Sequence, residues 1–67
     1  MASPEMIGKR LRDLRGDKQR EEVAAAIGIS VSALAMYETG KRVPRDEIKA
    51  RIAAYYEESI ENIFFAA

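Results

Sequence analysis

The sequence predicts an all-α fold of five helices, on three observations. Apolar residues recur at i, i+3 and i+4 within five short segments, the period of a helix face packed on a core. Glycine, proline and capping serine punctuate the joints between those segments. No run longer than Ile29-Ser30-Val31-Ser32-Ala33 alternates apolar and polar residues as a half-buried strand would.

The first segment opens with Ser3 as an N-cap and Pro4 at the first helical position, where the missing proline N–H has no partner to lose. Ile7, Leu11 and Leu14 follow at i, i+4 and i+7, so a helix is expected from Pro4 to Arg15, stopped by Gly16-Asp17. The second segment, from Gln19 to Ile27, places Val23, Ala24 and Ile27 on one face. Glu21 and Glu22 fall in its first turn, where negative charge suits the positive end of the helix dipole. Gly28 can take the positive φ that ends a helix, Ile29 can turn back into the core, and Ser30 caps a third segment from Val31 to Glu38. Thr39-Gly40-Lys41-Arg42-Val43 reads as a loop. After Pro44 a fourth amphipathic helix reaches Tyr56 with Ile48, Ile52 and Tyr55 or Tyr56 to bury. Glu57-Glu58 breaks that pattern, and Ser59 caps a last short helix whose Ile60, Ile63 and Phe64 share a face.

Length and composition limit what such helices can do. A chain of 67 residues makes one domain and buries only roughly 60% of the surface it exposes when unfolded. It has no cysteine and no histidine, so neither a disulfide, a thiolate metal site nor an imidazole ligand is expected. Its Asp and Glu residues are unaccompanied by a nucleophile, a histidine base or a glycine-rich phosphate loop, so no catalytic residue, cofactor or small-molecule substrate is expected either. No apolar run approaches the roughly 20 residues of a membrane span, and MASPEMIGKRLRD lacks the apolar stretch of a signal peptide; the expected location is cytoplasmic. Eleven Lys and Arg balance eleven Asp and Glu, yet every base lies between Lys9 and Arg51, while residues 52–67 hold Glu57, Glu58 and Glu61 alone. One part of the molecule can thus be locally positive although the neutral total predicts weak non-specific attraction to polyanions.

Two short helices joined by a tight glycine-containing turn let one helix brace across a DNA backbone while the next enters the major groove. That motif spans about residues 20–39 here, with small residues at Ala24, Ala25 and Ala26 to let the helices approach. The run REEVAAAIGISVSALAMYETGKRVP resembles the phage-repressor (XRE) class of helix-turn-helix regulators, similar to lambda repressor and Cro. The shared pattern is a TQEELA-like start, then G-[IV]-S, then a Y-E-x-G-x-x-x-P loop. Ile7-Gly8 through Leu14-Arg15 resemble the family's first helix, and IAAYYEESIENIF its fourth and fifth, so nearly the whole chain is covered. The resemblance implies a five-helix, lambda-repressor-like domain over residues 1–67 that binds double-stranded DNA. It further implies a transcriptional regulator, a repressor on a palindromic operator, acting as a homodimer without cofactor or metal.

Departures from the pattern carry information. The turn Gly16-Asp17-Lys18 is about two residues shorter than the family's and must be tight. The family's capping threonine is Gln19, a poor cap, and its phosphate-contacting glutamine is Arg20, whose charged fork can serve the same purpose. A glycine common after the fourth helix is Glu57, ill suited to a left-handed C-cap. The positions that usually face bases are Val31, Ser32, Ala33 and Met36, so Arg–guanine and Gln–adenine pairing is lost. A hydroxyl, apolar contact to thymine methyls and readout of DNA shape remain.

Arg20, Ser30, Lys41, Arg42 and Arg45 flank the third helix in sequence; each alone is an ordinary surface group, and together they form a candidate phosphate clamp. The resemblance implies a structural pair between Arg15 and Glu38. Ile60, Ile63, Phe64 and Phe65 are the candidate dimer interface, because consecutive Phe64 and Phe65 point in different directions on a helix and one is left for a partner. A second reading keeps the same fold as an antitoxin-like protein-interaction module, with the apolar third helix meeting protein.

Overall fold

The computed structural model describes residues 1–67. It contains α1 (Pro4–Arg15), α2 (Arg20–Ile27), α3 (Val31–Glu38), α4 (Asp46–Tyr56) and a last helix, α5 (Glu61–Phe65), with no strand. Ser3 begins α1 by accepting the Met6 N–H at 3.1 Å, and Arg12 and Arg15 occupy its last turn, where positive charge suits the dipole. Gly16 closes it at φ 58° and ψ −129°, a conformation only glycine adopts without strain, which is how the short turn reaches α2 at Arg20. Gln19 makes no side-chain cap. Gly28 ends α2 in the left-handed region, and the N–H groups of Gly28 and Ile29 both donate to the Ala24 carbonyl, at 2.9 and 3.0 Å. Ser30 then accepts the Ala33 N–H at 3.0 Å and starts α3.

The core forms where these helices cross. Ile7, Leu11, Val23, Leu34, Ile52 and Phe64 are each at most 1% exposed and belong to one cluster, each contributing about 1.5–3 kcal/mol by its removal from water. α1 packs on α3 and α5, while α2 packs on α3 and α4. Of the three alanines of α2 only Ala24 is buried; Ala25 and Ala26 face solvent, so close approach of the two helices rests on Ala24 alone. The tightest approach is elsewhere: a Cβ at Gly8 of α1 would lie 2.5 Å from the Glu38 carbonyl oxygen at the end of α3.

The last helix departs from expectation. Ser59 accepts the Asn62 N–H at 3.0 Å, but the following turn is π-helical, with the Ala66 N–H reaching five residues back to the Glu61 carbonyl at 2.7 Å. The wider winding breaks the i, i+3, i+4 face: Ile63 and Phe64 are buried, whereas Ile60 is 38% exposed. Hydrogen bonds hold this turn to the start of the chain, from the Ala2 N–H to the Phe64 carbonyl and from Arg10 Nη1 to the Ile63 carbonyl, each 3.0 Å.

Glu57 is the second departure, since it closes α4 in the left-handed region at φ 55° and ψ 43°, and is the only non-glycine residue at positive φ. That conformation costs an L-residue about 1–2 kcal/mol, and a carboxylate at a helix C-terminus opposes the dipole. Glu57→Gly should therefore stabilise the fold by about 0.5–1 kcal/mol after the greater chain entropy of glycine is subtracted. The check is a urea unfolding midpoint that rises at unchanged slope.

Candidate nucleic-acid interface

Placement of α3 is governed by Glu38, its last residue, whose side chain has no exposed surface. Burial pushes a carboxyl toward its neutral form, but charged hydrogen bonds outweigh it here: Arg15 and Arg20 hold the Glu38 pKa below its ordinary value of 4.5. Arg15 spans the carboxylate with Nε 2.8 Å from Oε2 and Nη2 3.1 Å from Oε1. Arg20 Nε donates to Oε1 at 2.8 Å. The Arg15 pKa rises correspondingly, chiefly through its hydrogen bond to Glu38. Its third nitrogen, Nη1, donates to the Lys18 carbonyl at 2.7 Å and so fixes the α1–α2 turn. Arg12 Nη1 donates to the Glu38 main-chain carbonyl. Nearby, burial and the Glu38 charge push the Tyr56 hydroxyl up to about 12, and its oxygen is buried without a hydrogen-bond partner.

The cluster thus brings together Arg15 and Glu38 and adds Arg12, Arg20 and Tyr56, none of which sequence reasoning had placed there. Arg20 was expected at phosphate; its side chain, 35% exposed, is instead bonded to Glu38 through Nε, leaving only its terminal nitrogens for any other acceptor. Arg12 lies three residues before Arg15, close enough on one helix face to have been noticed. Tyr56 was expected only as one of two tyrosines to bury, and nothing in the sequence placed it beside Glu38.

With Leu34, Tyr37 and Glu38 turned inward, helical geometry turns Ser32, Ala35, Met36 and Thr39 outward. Val31 lies at one edge, 40% exposed. Ala33 packs partly against the core and is half-buried, as are Ala35 and Met36, while Thr39 is exposed. Ser30 is exposed, and its oxygen serves as the α3 cap.

The loop after α3 folds back on it, with the N–H groups of Lys41 and Arg42 donating to the Met36 carbonyl at 2.9 and 3.3 Å. Lys41, Arg42 and Arg45 are exposed, and they are the only basic side chains with neither an ion pair, a hydrogen bond nor an aromatic partner in the chain. Lys9, Lys49 and Arg51 are matched to Asp13, Asp46 and Glu47.

The expected dimer residues divide. Ile63 and Phe64 fill this chain's own core at 1% and 0% exposure and cannot also face a partner; Ile60 and Phe65, at 38% and 39%, can. Phe65 lies beside the buried Lys49, whose ammonium is 5.0 Å from its ring centre. A cleft of about 250 Å³ beside α1 and the turn into α5 is lined by Arg10, Asp13, Leu14, Glu58, Asn62 and Ile63. No helix is long and apolar enough to cross a membrane.

A helix braced by α1 and α2, presenting an uncharged face edged by unpaired cations, is the arrangement of a DNA-binding helix-turn-helix. The helix-turn-helix family model matches residues 9–63, and the chain belongs to that family, the XRE or phage-repressor type with a lambda-repressor-like fold. It is a DNA-binding transcriptional regulator. Among solved structures it is similar to the clp gene regulator ClgR from C. glutamicum, at 27% identity and a TM-score of 0.76, over 90% of this chain and 80% of that one. No curated protein sequence matches significantly.

The Glu38 cluster gives a stability test. Glu38→Gln leaves two arginines facing a neutral amide and should cost about 2 kcal/mol, below the roughly 3–5 kcal/mol of fully enclosed pairs because Arg20 is partly solvated. Because the folded Glu38 pKa is depressed, its contribution is present above pH 4.5 and is lost as pH falls through the folded value. The stability gap between the native chain and Glu38→Gln, measured by urea unfolding at several pH values, should therefore narrow below pH 4.5.

Proposed function

We propose that residues 1–67 act as one DNA-binding unit of a cytoplasmic repressor that binds a palindromic operator as a homodimer. The observation that carries this reading is the set of three unpartnered cations, Lys41, Arg42 and Arg45, directly following an α3 whose outward face is uncharged. In a chain of zero net charge eight of the eleven basic groups have partners within the chain; three left open beside one helix supply the phosphate contacts that orient a protein on duplex DNA. Exposed Ile60 and Phe65 supply the apolar surface for a two-fold interface. The regulator to which the chain is similar supports a role in controlling genes.

The uncharged face with Val31 at its edge favours a second reading, in which α3 binds a protein. Selection of bound sites from random duplex DNA separates the two. An inverted repeat supports the repressor, and absence of enrichment supports the interaction module.

Two further outcomes are expected. Lys41→Gln and Arg42→Gln should each weaken binding to operator and scrambled DNA alike, and each should flatten the log–log salt dependence by about one unit, read by titration at several salt concentrations. Phe65→Asp should lower the sedimenting mass toward that of a single chain; an unchanged mass places the interface elsewhere.

A further inference from the structure

The outward face of α3 holds no side chain able to make a two-point hydrogen bond to a base. Ala35 and Met36 offer methyl, methylene and thioether surface, and Val31 adds a branched apolar edge at 40% exposure. Of the two hydroxyls, Thr39 Oγ1 already donates to the Ala35 carbonyl at 2.8 Å, which leaves Ser32 as the single uncommitted donor. In the major groove, base pairs are told apart by donor and acceptor patterns and by one apolar group, the C5 methyl of thymine. A face poor in donors and acceptors and rich in apolar surface is complementary to that group.

On the reading of α3 as the helix that enters the groove, we infer that the chain selects its sites by pyrimidine C5 methyl groups, packed against Val31, Ala35 and Met36. Lys41, Arg42 and Arg45 hold the backbone and are indifferent to base identity, so discrimination falls to the apolar contacts. The preferred ligand is duplex DNA with thymine at the positions facing α3. Methylated cytosine offers the same apolar contact there, because its methyl group sits on the same ring atom and occupies the same place in the groove, although its amino group replaces the thymine carbonyl. Cytosine methylation at such a position strengthens binding. Taking one methyl-sized group out of water corresponds to about fourfold in affinity.

The test compares thymine with uracil, which pairs identically with adenine and lacks only the methyl. Sites are first selected from a random thymine-containing duplex library, then remade with uracil at one position at a time. The expected result is a loss of about fourfold at each contacted thymine and none at the others. Cytosine placed at a contacted position should bind better by a similar factor once methylated at C5. Met36→Ala should shrink the thymine–uracil gap, whereas Lys41→Gln should lower affinity for both duplexes and leave the gap intact. Equal binding of the thymine and uracil versions of a selected site overturns methyl readout and leaves DNA recognition standing. Failure to enrich any site overturns both and assigns the α3 face to a protein partner.

Discussion

A carboxylate removed from water keeps its charge only if fixed donors replace the lost hydration, and Glu38 is such a group. Its donors come from two other elements, Arg15 at the end of α1 and Arg20 at the start of α2, so one ionised side chain ties three helices together. Arg12 adds a hold on the Glu38 main chain, and the spare nitrogen of Arg15 holds the turn at Lys18. Desolvation offsets much of the attraction in an assembly of this kind. Its value lies in geometry, because α3 cannot shift relative to α1 or α2 without stranding a buried charge.

The same economy governs the surface. With zero net charge the molecule has no broad field with which to attract a polyanion. Five cations are matched with carboxylates, Arg10 and Arg12 are turned onto main-chain carbonyls, and Lys18 lies against Tyr55. What remains unmatched is local, confined to positions 41–45. Such a distribution favours docking in one orientation over indiscriminate adhesion.

Helix limits were legible because capping and stop signals are local: Ser3, Gly16, Gly28 and Ser30 each act within a few residues of themselves. The Arg15–Glu38 pair followed from resemblance, not from spacing, since 23 residues separate the partners. Arg20 as a second partner was hidden for the same reason, with 18 residues between it and Glu38. Glu57 shows tertiary packing overriding propensity, with the chain direction after α4 fixed by burial of Ile63 and Phe64. Division of Ile60 and Phe65 from Ile63 and Phe64 depended on π-helical winding, which no local pattern announced.

Gly8 makes the end of α3 a fulcrum. The main chains of α1 and α3 touch where a side chain would otherwise stand, beside the Glu38 carbonyl. An eight-residue helix is about 12 Å long, so a wedge that lifts one end by about 1 Å tilts the whole rod by about 5°. A substitution at Gly8, on the far side of α3 from Ser32 and Met36, would change the pitch at which that rod lies against any surface. Binding preference could drift in this way with every contacting residue unchanged, so the contact face alone does not define the chain's specificity.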